Sequence, residues 1–143
     1  MKKKAWMFVF AALFLAVGTA SLSADSFYHV RANIPFGFMV GSEAFPAGVY
    51  SVARVGNGAD ALVLRSSDGR KSAVFLTIGT SSLEARDKAS QVFNRYGDQY
   101  FLKEVWTVGD LTGRQLLPSR AEREINLAMN QAKPALVAIA AAQ

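Results

Sequence analysis

The chain has no cysteine and only one histidine, His29, in 143 residues. The first absence excludes disulfides, thiolate metal sites, a cysteine nucleophile and a lipid-bearing N-terminal cysteine. The second leaves any serine triad with His29 as its sole base, and no Gly-x-Ser-x-Gly elbow exists to present a nucleophile. A zinc site would have to be built from carboxylates, in an arrangement that the sequence does not suggest. Gly56-Asn57-Gly58 lacks the lysine and the following helix of a phosphate loop and reads as a turn. No metal and no cofactor is therefore expected. A domain without disulfides must cohere by burial, and about 120 residues suffice, because a domain of that size hides well over half the surface of its unfolded chain.

Acidic residues are missing from the start of the chain. Lys2, Lys3 and Lys4 precede an apolar stretch from Trp6 to Val17, small residues follow at Gly18 to Ala24, and no acid appears before Asp25. A charged segment, an apolar segment and a small-residue segment in that order form a secretory signal peptide. Residues 1–23 are expected to be that leader, with Ser21-Leu22-Ser23 fitting the cleavage pattern and a cut after Ala20 as the alternative. The rival is an uncleaved anchor over Ala5 to Ala24, but Gly, Thr and Ser make its last third a poor hydrocarbon span. The expected destination is the periplasm or the medium. Without the three leader lysines the formal charge falls from +5 to near +2. The high isoelectric point is thus partly a property of the leader, and nucleic acid is not an expected partner. A membrane is expected to matter only through the leader, if it stays uncleaved.

Residues 24–133 read as one β-rich domain ending in a helix. From Tyr28 to Val40 every even position is apolar, which predicts a long strand, or two strands joined by a bend near Pro35 and Gly37, with one face buried. Val49–Val55, Ala61–Arg65 and Ser72–Ile78 read as further strands, the last two joined at Asp68-Gly69. Val74, Phe75, Leu76 and Ile78 are expected to pack inside. Gly79–Ala89 reads as a loop with a helical turn around Leu83 to Lys88. Gly97-Asp98 suits a two-residue hairpin turn between Gln91–Tyr96 and Gln99–Thr107, which would set Arg95 opposite Tyr100 and Phe93 opposite Leu102. Gly109–Leu117 reads as a turn region. Ser119 and Glu122 form a capping box at the start of a helix, with Glu122 able to reach back to the cap amide. Ala121, Ile125, Ala128 and Met129 would line the packed face of that helix. Pro134 stops or kinks the helix, leaving residues 134–143 as an apolar tail, a second helical segment or a mobile end. The expected fold is mainly β, a small antiparallel barrel or sandwich of six to seven strands with a C-terminal helix.

Few residues stand out for chemistry. His29 lies on the polar face of the first strand and reads as a solvated or edge residue. Asp98, Glu104, Asp110, Glu122 and Glu124 are the acids available for a carboxylate pair, yet turns, capping and surface pairing account for nearly all of them. Arg114, Arg120 and Arg123 interleave with Glu122 and Glu124 as a salt-bridged helix start. Arg95, Tyr100 and Trp106 are the candidate interaction surface, an aromatic and basic patch able to stack on sugar rings or touch a partner. The competing account buries Tyr100 and Trp106 and lays Arg95 over a ring at the rim.

Three stretches carry a resemblance: Ala32-Asn33-Ile34-Pro35-Phe36-Gly37-Phe38-Met39-Val40-Gly41 with Phe45-Pro46-Ala47-Gly48-Val49-Tyr50; Leu64-Arg65-Ser66-Ser67-Asp68-Gly69; and Arg95 through Trp106 followed by Ser119-Arg120-Ala121-Glu122-Arg123-Glu124. With these the chain resembles a family of small secreted proteins abundant in Acidobacteria. The resemblance spans nearly the whole mature chain and implies export and a shared β fold, and it brings no activity, ligand or catalytic residue. The expected function is a non-catalytic exported β domain that binds a protein or a cell-envelope component. The alternatives are a barrel carrying a small apolar ligand and a carboxylate-dependent hydrolase.

Overall fold

The computed structural model describes residues 29–58 and 60–141; the leader assigned to residues 1–23 lies outside them. The architecture is mainly β with one short helix. Its strands are β1 (His29–Ile34), β2 (Phe38–Val40), β3 (Glu43–Phe45), β4 (Gly48–Arg54), β5 (Ala61–Ser66), β6 (Ser72–Ser81), β7 (Ser90–Tyr96), β8 (Gln99–Trp106), β9 (Thr112–Leu116) and β10 (Ala135–Ala140). Helix α1 (Arg120–Ala128) lies between the last two.

All strands join one sheet, whose main path runs β1-β4-β5-β6-β9-β8 through antiparallel pairs. β7 pairs along the whole length of β8 and carries β10 on its far side. The other edge of β8 is shared, with β9 at Glu104 and Val105 and the β2–β3 hairpin running parallel at Phe101. The sheet curls until β1 lies against β7 and β10 without pairing to either, a sandwich-like arrangement rather than a closed barrel.

Period-two alternation decides which face goes inside. In β1, Val30, Ala32 and Ile34 are fully buried while Arg31 between them is exposed. Pro35 and Gly37 then bend the chain between β1 and β2, the two-strand form of the expected alternation. Phe38 stands at the centre of an aromatic cluster, stacked on Phe45 and edge-on to Tyr50 and Phe93 at centroid distances of 5.0–5.5 Å. Each such side chain contributes about 1.5–3 kcal/mol by burial, and each ring pair about 0.5–1.5 kcal/mol more.

The β7–β8 hairpin turns at Gly97-Asp98 in the expected register, with Arg95 opposite Tyr100 and Phe93 opposite Leu102. Four expectations need correction. Gly109–Leu117 is a strand over half its length, because β9 fills the space between β6 and β8. No helical turn forms between Ser81 and Ser90. The residues of α1 nearest the sheet are Ala121, Glu122, Ile125 and Asn126, whereas Ala128 and Met129 are exposed. The tail is a strand: Asn130 and Gln131 take positive φ of 56°, breaking the helix, Pro134 prevents its return, and β10 pairs antiparallel with β7 from Ala135 to Ala140. Val137 and Ile139 face the core side of β10 and are half-buried there.

Candidate functional site

The largest departure from the sequence expectation lies in β6. Phe75 points inward and is buried, but Val74, Leu76 and Ile78 point outward and are 64%, 75% and 47% exposed. The reason is register. Leu62 and Leu64 of β5 turn to the core, which places Phe75 opposite Leu62 on the inner side and sends its immediate neighbours out. β6 pairs with β5 along its first half and with β9 along its second, so Val74 and Leu76 lie opposite Val63 and Ala61 of β5 while Ile78 lies opposite Gln115 of β9.

Cross-strand pairing extends this apolar ladder sideways. Ala53, Val63 and Val74 form one row across β4, β5 and β6, and Val63 is itself buried between its neighbours. Ala61 lies opposite Leu76, and the amide of Val55, another exposed apolar residue, donates to the Ala61 carbonyl at 3.0 Å. The outer face of β4, β5 and β6 thus opens Val74, Leu76 and Ile78 to water, backed by the half-buried Ala53 and Ala61 and the buried Val63, whereas apolar residues on soluble proteins are normally exposed singly.

The residues of the expected aromatic patch do not share a surface. Arg95 and Tyr100 come together: the guanidinium lies 5.6 Å from the phenol ring centroid, and its Nε donates to the Gly97 carbonyl at 2.8 Å. Tyr100 is half-buried and stacks on Phe36 at 3.7 Å. Trp106, at the far end of β8, is 2% exposed, donates from Nε1 to Glu104 Oε2 at 2.8 Å and is roofed by the Arg86 guanidinium at 4.6 Å. A β-bulge separates them: the register shifts between Val92 and Phe93, leaving Lys103 as an extra residue in β8, so Tyr100 borders the inner cluster while Trp106, an even number of residues on, lies on the opposite face.

The acids likewise have separate partners. The Ser119 hydroxyl accepts from the Glu122 amide as a cap should, but the Glu122 side chain does not return to the cap. It is 5% exposed, and its Oε1 accepts from Asn94 Nδ2 at 2.7 Å and from the Tyr96 hydroxyl at 3.1 Å, tying α1 to β7. Burial first, and then the adjacent Glu122 carboxylate, push the Tyr96 phenol up to about 12. Asp110 accepts from the Thr107 hydroxyl, and Glu124 pairs with Arg120 at 2.8 Å one turn away. Arg114 does not join the helix start. It lies in β9, its Nε donating to Thr77 Oγ1 at 2.9 Å and its Nη2 to Asp60 Oδ1 at 2.8 Å. Among the described residues no group of three or more His, Asp or Glu side chains is placed to hold a metal ion, and no helix is long and apolar enough to cross a membrane. No family model, curated protein or solved structure matches this chain, so its function has to be argued from its own geometry.

Proposed function

We propose that this chain is an exported, non-catalytic β domain that binds a protein partner or cell-envelope component through the outer face of β4, β5 and β6. The observation that carries this reading is the Val74–Leu76–Ile78 ladder, three large apolar side chains exposed on alternate positions of one strand that pairs with β5 and then with β9. Leaving such a surface in water forgoes the burial that stabilises the rest of the domain, and a docked partner recovers it. The leader assigned to residues 1–23 supplies the route out of the cytoplasm. The carrier alternative draws no support from the interior, where Phe38, Phe45, Tyr50 and Phe93 are in mutual ring contact. The hydrolase alternative draws none from Glu104, Asp110, Glu122 and Glu124, each held by a different neighbour.

The test compares the parent with a Val74→Lys, Leu76→Lys double variant as bait in the native exported fraction. The expected result is a defined partner retained by the parent and lost by the variant, with the thermal midpoint of the variant unchanged. Equal retention by both would refute the assignment of this face. N-terminal sequencing of the exported protein checks the leader, with a new terminus at or near Ala24 as the expected result.

A further inference from the structure

The same sheet face changes character toward one end. One row beyond Ala53, Val63 and Val74, the registers place Arg31, Ser51, Arg65 and Ser72 side by side across β1, β4, β5 and β6. With strands about 4.8 Å apart, the two arginines stand about 10 Å from each other at Cα, with Ser51 midway. Neither guanidinium has a hydrogen-bond or ion-pair partner among the described residues. A cleft of about 260 Å³ opens between them, bordered by Tyr50, Ser66 and Ser67. Across those same residues it continues into a second cleft of about 330 Å³ that ends at Arg70 and Lys71.

Four cations line this path against one acid, Asp68, which pairs with Arg70 (Nε to Oδ2, 3.9 Å) and leaves three of the cations without a carboxylate among the lining residues. Asp68 Oδ1 accepts from the Ser66 hydroxyl at 2.6 Å and from the Arg70 amide at 3.0 Å, and those two bonds hold its carboxyl below the usual range. Lys71 lies over the Phe45 ring and donates to the Ala44 carbonyl. Arg31 and Arg65 thus line one cleft as like charges with no ion-pair partner among the described residues, and an oxyanion held between them would lower their mutual repulsion. Guanidinium forks match carboxylate and phosphate oxygens in pairs of hydrogen bonds, and Ser51 and Ser67 line the same space.

We infer that the cleft between Arg31 and Arg65 is a binding site for a chain-like polyanion, one oxyanion group held by the two arginines over Ser51 and the next reaching toward Arg70 and Lys71. The small net charge of the mature chain does not oppose this, since the attraction is local to one end of one sheet face. The site stands whether or not the apolar ladder docks a partner. Its ligand carries repeated phosphoryl or carboxylate groups, and the two sources are told apart by the probes.

The full exported chain is titrated calorimetrically with polyphosphate, with polygalacturonate and with neutral dextran at 0.15 M salt. Binding of at least one polyanion and none of dextran is expected. Polyphosphate alone assigns a phosphoryl ligand, polygalacturonate alone a uronate, and both together recognition of oxyanions without that distinction. The Arg31→Gln, Arg65→Gln double variant should bind at least tenfold more weakly, whereas Arg120→Gln, Arg123→Gln, which removes the same charge from α1, should change affinity less than twofold. Amide shift mapping on the parent protein supplies a readout independent of any variant and should centre on Ser51, Arg65 and Ser67. Failure to bind either polyanion, an equal loss in both double variants, or shifts centred elsewhere would overturn the site.

Discussion

The indole of Trp106 occupies the space where a side chain at Gly113 would begin. A Cβ at Gly113 would stand 2.6 Å from Trp106 Cδ2 and 2.7 Å from Cε3. The opposite face of the ring is covered by Arg86, whose carbonyl accepts from the Gly109 amide at 2.9 Å and so fixes the loop above it. The indole has nowhere to retreat. Gly113→Ala should therefore destabilise the domain by about 1–3 kcal/mol through overpacking, read as a lower urea midpoint with an unchanged slope. An alanine variant as stable as the parent would show that the ring does not sit on this strand.

The Tyr96–Glu122 contact gives the domain an alkaline limit. An unfolded tyrosine ionises near 10, and the folded phenol is pushed up to about 12 by burial and by the neighbouring carboxylate. The contribution of the neutral phenol is complete below pH 10 and is lost as the pH rises from 10 through about 12. Thermal midpoints measured from pH 8 to 12 should fall over that window. Tyr96→Phe should flatten the fall, and the difference in ultraviolet titration between parent and variant should show one tyrosine ionising late.

Glu122 is also the acceptor that joins helix to sheet. Glu122→Ala would leave Asn94 Nδ2 and the Tyr96 hydroxyl without it, at a cost of about 1–3 kcal/mol. Glu122→Gln keeps one acceptor oxygen and should cost less. Comparing the two by chemical denaturation separates the hydrogen bonds from the packing of the side chain, and equal losses would show that the bonds contribute nothing.

Local signals carried the parts of the fold that could be read in advance. Gly97-Asp98 specifies its own two-residue turn, and once the turn is set the pairing of Arg95 with Tyr100 follows by counting. Ser119 caps its helix through its own hydroxyl. What could not be read depends on partners far along the chain. Val74-Phe75-Leu76 has no alternation of its own, so only pairing with β5 decides that Phe75 goes in and its neighbours go out. Ala135 to Ala140 is a short apolar run that reads as a second helical segment or a mobile end, and it becomes a strand because β7 offers an edge about 40 to 50 residues earlier in the chain. Arg31 and Arg65 come together only because β1 and β5 both pair with β4, the first of them across the intervening β2 and β3, and no local pattern marks that meeting. Arg95, Tyr100 and Trp106 are close in sequence and Tyr100 and Trp106 share a parity, yet the bulge at Lys103 sends Trp106 to the other face, and no local pattern marks that bulge.

Adjacent positions in β6 should therefore respond in opposite ways. Leu76→Gln removes an exposed side chain and should change stability by no more than about 0.5 kcal/mol. Phe75→Ala empties a core position and should cost about 3–5 kcal/mol. Paired urea melts of the two variants test the register directly. A large loss at Leu76 would mean that the ladder is covered in the free protein and would remove the basis for a docking face.

Gln91 presents the reverse problem, a polar side chain where the surroundings are apolar. It is fully buried on the core side of β7, beside Val105 of β8 and Ile139 of β10, and among the described residues neither its Oε1 nor its Nε2 has a hydrogen-bond partner. Burying an amide without partners costs free energy that an apolar side chain of similar length does not. Methionine fits the same space with flexible torsions and no strong polar atom. Gln91→Met should therefore raise unfolding stability by about 1–3 kcal/mol, whereas Gln91→Ala, which also removes the polar atoms, should give back part of that gain by opening a cavity. Denaturant unfolding of the two variants against the parent decides the matter. If Gln91→Met were less stable than the parent, the amide would have to be making bonds in solution, and the β7 side of the core would need to be hydrated.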